Sequence, residues 1–162
     1  MFGGSFTHKL DEVGRFIVPK RFRFSLGERF VITRGLGCLL VLTSERFQAI
    51  SQQARGMGDP IMSLFNPEIG RIYRHLFGEM VETTCDGQGR IQLTNELRAH
   101  AGIDKDLVMV GVGDWLEIWS AENWDDYKQN NLTPEQLIEA AKASLSRESS
   151  EVDDGVSQAG PA

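Results

Sequence analysis

The sequence predicts a mainly β fold with short helices, an α+β unit in which two tandem halves are related by a pseudo-twofold. Three observations predict it. An Asp-x-x-Gly-Arg skeleton occurs twice, short β-favouring apolar runs lie between glycine turns, and an amphipathic helix joins the two copies.

The repeat carries most of the argument. His8 to Pro19 lines up with Thr83 to Thr94, so that Asp11, Gly14 and Arg15 match Asp86, Gly89 and Arg90. The offset of 75 holds through Phe22-Arg23 and Leu97-Arg98. After a slip of two residues, Phe30-Val31-Ile32 matches Leu107-Val108-Met109, and Leu39 to Phe47 matches Leu116 to Trp124. Each half reads as strand, turn, strand, short helix, strand, turn, strand, helix.

The elements follow in order. Gly14 and Gly89 allow a tight turn, and the aspartate before each can hydrogen-bond its own turn. Phe16-Ile17-Val18 is a β-favouring run expected to be buried on both faces or nearly so. Pro19 suits the first turn of a helix. Val18, Phe22 and Leu26 are spaced four apart, as are Leu93, Leu97 and Ala101, giving each short helix one apolar stripe. Phe30–Thr33 and Leu39–Thr43 form a strand pair around Gly35-Leu36-Gly37. Leu107–Val112 and Trp115–Trp119 form its counterpart around Gly113-Asp114. Ser44 and Ser120 are expected N-caps. Such a half is too small to close its own core, so strands of one half should pair with strands of the other.

Residues 6–55 therefore form the first half, 56–80 a connector and 81–128 the second half. In the connector, Gly56 to Pro60 reads as a flexible break and Asn66-Pro67 as a helix start. Ile69, Ile72, Tyr73, Leu76 and Phe77 then make the apolar stripe of a helix that Gly78 ends. Thr133 and Gln136 read as a capping box, opening a helix in segment 129–146. The acidic tail, 147–162, is expected to be disordered.

The bulk numbers constrain function. Net charge is −6, but residues 1–60 hold nine Lys/Arg against five Asp/Glu, a local +4. A phosphate backbone responds to the local field, so the first half suits DNA and the tail does not. No apolar run is long enough to span a bilayer, and no secretory leader is visible. Cys38 and Cys85 are the only cysteines, which fits a reduced cytoplasmic setting.

No enzyme is expected. Cys38 reads as a packed residue, and a carboxylate beside Cys85 opposes thiolate formation. His8, His75 and His100 lack ligand spacing with the cysteines, so no metal and no cofactor is expected. Gly111-x-Gly113 lacks the rest of a dinucleotide fingerprint. Trp115, Trp119 and Trp124 read as packing residues.

The opening Met1-Phe2-x-Gly4, Leu10-Asp11-x-x-Gly14-Arg15 and Pro19-x-x-Phe22-Arg23 resemble the first half of the MraZ family. Asp86-x-x-Gly89-Arg90-Ile91 and Gly111-Val112-Gly113-Asp114-x-x-Glu117-Ile118-Trp119 resemble the second half. The resemblance spans residues 1–128. It implies a swapped-hairpin barrel made from two SpoVT-AbrB-like halves, and a ring-like homo-oligomer. It also implies a nucleoid-associated regulator that binds short direct repeats in the promoter DNA of the division and cell-wall gene cluster. By the same resemblance, Asp11, Arg15, Asp86 and Arg90 lie on the DNA-facing surface. Two positions depart from the pattern: Val13 stands where the family often has Lys, and Thr94 replaces the proline matching Pro19.

The chemistry is that of arginine. A guanidinium can span O6 and N7 of guanine or clamp a phosphate, whereas a carboxylate only accepts hydrogen bonds. Each aspartate is expected to cap its turn or orient the arginine that follows. His8, Lys9, Lys20, Arg21 and Arg23 are candidate phosphate contacts around Arg15. The plainer alternative for Arg15 and Arg90 is an ion pair with Asp11 and Asp86 on a solvated face. The expected partners are double-stranded promoter DNA and further copies of the chain, with no membrane and no small-molecule substrate. The competing class is an antitoxin-like or protein-interaction module of the same fold.

Overall fold

The first two strands of each half have no partner within that half, and the molecule satisfies them by exchange. The computed structural model describes residues 1–56, 61 and 65–156. It divides into two units, Met1–Trp124 and Asp125 onward. The first unit runs β1 (Phe2–Lys9), β2 (Arg15–Ile17), α1 (Lys20–Leu26), β3 (Phe30–Arg34), β4 (Leu39–Thr43), α2 (Ser44–Gly56) and α3 (Pro67–Phe77). It continues with β5 (Val81–Thr83), β6 (Arg90–Gln92), α4 (Asn95–Ala101), β7 (Asp106–Gly113), β8 (Leu116–Ser120) and the start of α5 (Ala121–Asn131).

A six-stranded sheet has the order β1-β7-β8-β4-β3-β5, and β2 pairs with β6 in a separate ribbon. Exchanging each strand for its mate in the other half and reversing the order returns the same order. The pseudo-twofold is therefore a property of the hydrogen bonding. Its axis passes through Leu40 opposite Glu117 and through Phe16 opposite Ile91. All the pairings are antiparallel, and β1 lies on β7 as β5 lies on β3. β1 covers the whole of β7, from Phe2 opposite Gly113 to Lys9 opposite Asp106.

The predicted stripes form the core. Val18, Phe22, Leu26, Leu93, Leu97 and Ala101 are all buried, with Phe16 and Ile91 on the axis between them. Ile17 departs from expectation. It is exposed, because a three-residue strand with only one covered face points its middle residue inward and the flanking two outward. Pro19 occupies the N-cap of α1 rather than its first turn, and its carbonyl accepts from the N–H groups of Phe22 and Arg23. Thr94, at the matching place, caps α4 through its hydroxyl. Ser120 caps α5 as expected. The cap of α2 is Thr43 instead of Ser44, since the Ser44 hydroxyl is turned to the Arg29 carbonyl.

Asn66 starts α3 as expected, accepting from the N–H groups of Glu68 and Ile69. The stripe of α3 is only half-buried, and Ile72 stays exposed. Polar contacts anchor this helix. Thr33 donates to the Leu76 carbonyl at 2.5 Å, and Arg34 donates to the carbonyls of Arg74 and His75 at 2.9 and 3.3 Å. A cation placed on the last carbonyls of a helix satisfies groups that otherwise lack partners. Arg34→Ala should thus cost about 1–3 kcal/mol of stability, measurable by urea unfolding.

In the second unit, Thr133 and Gln136 form the expected capping box. Helix α6 (Pro134–Val156) runs past Ser146, where the sequence suggested a disordered tail. No proline, and no glycine before Gly155, interrupts its hydrogen-bond ladder there. The last six residues of that tail, and residues 57–60 of the expected break, lie outside the described residues. Among the described residues, no helix is long and apolar enough to cross a membrane.

Candidate nucleic-acid interface

Each Asp-x-x-Gly-Arg segment is a turn closed on its own aspartate. The Asp11 and Arg15 backbones pair, and the Gly14 N–H reaches the Asp11 carbonyl. One carboxylate oxygen of Asp11 accepts from the N–H groups of Val13 and Arg15 at 3.0 and 2.8 Å. The other accepts from Arg15 Nε at 2.8 Å. The second half repeats this. Asp86 accepts from Gln88 and Arg90 N–H groups at 2.9 Å each and from Arg90 Nε at 2.8 Å. Gly14 and Gly89 adopt φ of +79° and +78°, a region that side-chain-bearing residues avoid.

The two expectations for these pairs hold together: the aspartate caps its turn, and it also ion-pairs the arginine. The pairing consumes only the Nε edge. The Nη groups of Arg15 and Arg90 make no hydrogen bond among the described residues. Those Nη groups remain as donors. Both oxygens of each aspartate are engaged within its own turn, so each carboxylate braces the arginine that follows it.

Register puts the two arginines on one face. Arg15 lies opposite Gln92, and Ile17 opposite Arg90. Directly opposed residues share a face, as do residues two apart on a strand. Arg15, Ile17, Arg90 and Gln92 therefore point outward together while Phe16 and Ile91 point into the core. Gln92, which sequence reasoning did not single out, donates to the Val13 carbonyl at 2.9 Å and ties the second strand to the first turn.

The remaining candidates are scattered in role. Lys20 is exposed on α1. Lys9 is exposed and paired with Asp106 at 2.7 Å. Arg21 lies over the rings of Phe6 and Phe22. His8 sits half-buried against Phe16, with its Nε2 covered and without a hydrogen bond among the described residues. Burial holds its pKa below the ordinary value, so near neutral pH it carries little positive charge to offer a phosphate. Arg23 is half-buried, packed on the second turn. Its mate in the repeat, Arg98, packs on the first turn.

The electrostatics of the turns are testable. Hydrogen bonds from the Arg90 backbone, and then from its side chain, hold the Asp86 carboxyl down to about 2, and Asp11 shifts the same way. A depressed carboxylate pKa stabilises the fold above the ordinary aspartate range, and that contribution disappears as pH falls through the folded value. Carboxyl-carbon NMR should place the Asp86 midpoint near 2. Stability should drop between the ordinary aspartate range and that value. Cys85, beside Asp86, is pushed upward by burial first and by that carboxylate to a smaller degree, against the opposing charge of Arg23.

Fold and site together define a class: a tandemly duplicated β protein that presents two aspartate-braced arginines on one ribbon. Comparison with known proteins names the family. The model for MraZ protein, described as antitoxin-like, matches residues 1–59 and 76–148. A protein of Lachnoclostridium phytofermentans named transcriptional regulator MraZ is 41% identical over 82% of this chain and 90% of its own length. Proteins of the same name are 43% identical in Symbiobacterium thermophilum, over 78% of this chain and 88% of theirs, and 40% identical in Desulforamulus reducens, over 86% and 96%. The chain belongs to the MraZ family.

Proposed function

We propose that this chain is a DNA-binding transcription regulator, without catalytic activity, that reads promoter DNA through the outer face of the β2–β6 ribbon. The observation that carries the reading is the pair of arginines on that face, each braced by its aspartate with its Nη donors unspent. The names of the relatives support it. Lys20 and Arg21, both exposed on α1, add positive charge to the chain just after the ribbon strand β2. A braced arginine spends little entropy on ordering when it meets guanine or phosphate.

Two arginines and a few neighbouring lysines are a small contact set for one subunit. Several subunits in a ring, facing short direct repeats, raise apparent affinity through effective concentration. The target on this reading is the promoter of the division and cell-wall gene cluster, and the protein resides with the nucleoid in the cytoplasm. The test is an anisotropy titration with a labelled duplex from upstream of the chain's own coding sequence. Affinity should fall at least about tenfold between roughly 50 and 200 mM salt. Absence of DNA binding, together with tight capture of a protein partner, would replace this reading with an interaction module.

A further inference from the structure

We infer that Arg23 and Arg98 are crossed positioning residues: each holds the arginine-bearing turn of the opposite half, so that Arg23 acts through Arg90 and Arg98 acts through Arg15. This rests on the DNA-binding reading for its functional consequence, though not for the coupling itself. Proximity in sequence suggests the reverse, since Arg23 follows Arg15 by eight residues.

The geometry is specific. A Cβ built on Gly89 would lie 2.1 Å from Arg23 Nη1, 2.4 Å from Cζ and 2.9 Å from Nε. The guanidinium therefore occupies the space a side chain at Gly89 would need. A Cβ on Gly14 would meet Arg98 Nη1 at 3.3 Å and Cδ at 3.8 Å. The chain leading into each helix is fastened to the same glycines: Val18 N–H donates to the Gly89 carbonyl at 2.9 Å, and Leu93 N–H to the Gly14 carbonyl at 3.0 Å. Each turn is thus gripped by the partner half at its backbone and from above its glycine.

Arginine suits this place better than lysine. A planar guanidinium can lie against a peptide, where an ammonium cannot. Arg23 Nε and Arg98 Nε are both buried and make no hydrogen bond among the described residues. Burying a donor without an acceptor is unfavourable, so packing against the turn decides where these side chains sit. The Arg98 copy has an extra tether, its Nη2 donating to the Asp104 carbonyl at 3.2 Å. Arg23 has no such tether among the described residues, so the second turn depends on Arg23 more than the first depends on Arg98. The consequence is that each arginine-bearing turn has its own grip, supplied by the opposite half.

A double-mutant cycle with the labelled upstream duplex tests this. Arg23→Lys should weaken binding about fivefold in the wild-type background and in Arg15→Ala, yet add almost nothing in Arg90→Ala. The salt slope should be unchanged by Arg23→Lys, which keeps its charge, and also by Arg23→Gln. A direct phosphate contact at Arg23 would instead make Arg23→Gln lower the slope by about one and act additively with Arg90→Ala. That result overturns the proposal. A readout without DNA separates it from the functional reading. Carboxyl-carbon NMR of the unliganded protein should show Arg23→Lys raising the Asp86 midpoint and leaving Asp11 in place, with Arg98→Lys doing the reverse. If the chain binds no DNA but the crossed shifts appear, the coupling stands and the regulator reading falls. If Arg23→Lys moves Asp11, or moves neither, the crossed coupling is wrong.

Discussion

Arg15→Ala is expected to weaken promoter binding by about 1–3 kcal/mol, roughly fivefold to 150-fold per subunit, while the fold is kept. The loss is specific because the turn survives it. Asp11 still accepts from the N–H groups of Val13 and Arg15, and Gly14 still closes on the Asp11 carbonyl. The missing elements are the forked donor and one positive charge. The salt slope should therefore drop by about one if the fork meets phosphate, and stay unchanged if it meets only a base edge. Arg15→Lys refines the outcome, since lysine keeps the charge but cannot span O6 and N7 of guanine. Arg90→Ala should have the smaller effect, because the second half is the poorer in cations, with Asn95 and Glu96 at the positions matching Lys20 and Arg21. In an assembly that engages repeated sites, the per-subunit loss multiplies. Unchanged affinity for Arg15→Ala in the anisotropy titration would remove the ribbon from the interface.

Much of this site was legible because the chain spells it twice. A single Asp-x-x-Gly-Arg is a common surface turn, but two copies at one offset identified Asp11, Arg15, Asp86 and Arg90 as matched groups. The turn glycines, the buried stripes through Phe22 and Leu97 and the exchange of strands all followed from local pattern and from the need to pair every edge. Contacts that depend on where distant segments meet were not legible. Ile17 looked like a core residue because three apolar residues in a row carry no period, and only the ribbon's single covered face turns it outward. Arg23 looked like one more cation on a helix until the fold laid Gly89 beside it. His8 looked like a cation until β1 placed its ring on Phe16. The last turns of α6 were not legible, because the serines and aspartates there have low helix propensity and only the continuation of an already formed helix carries them.

The largest effect on stability is expected at Phe22, and a neighbour two residues away supplies the control. Phe22 is 1% exposed and packs edge-on against Phe2 and Phe6 at ring separations of 6.0 and 5.1 Å. Those two phenylalanines belong to β1, the strand that crosses to β7 of the other half. Phe22→Ala therefore opens a cavity where the exchanged strand meets its own helix, at a cost of about 3–5 kcal/mol. That is a large fraction of the stability of an ordinary domain. Phe24 lies on the same helix at 92% exposure, so Phe24→Ala should shift unfolding of the chain by no more than about 0.5 kcal/mol. The pair separates two accounts of the fold. If the exchanged strand is held mainly by its backbone ladder to β7, Phe22→Ala and Phe24→Ala will differ little in urea unfolding. If the aromatic cluster holds it, Phe22→Ala alone will also speed amide exchange along β1. The second outcome is expected, because at Gly3 and Gly4 β1 carries no side chains of its own to shield the ladder from water.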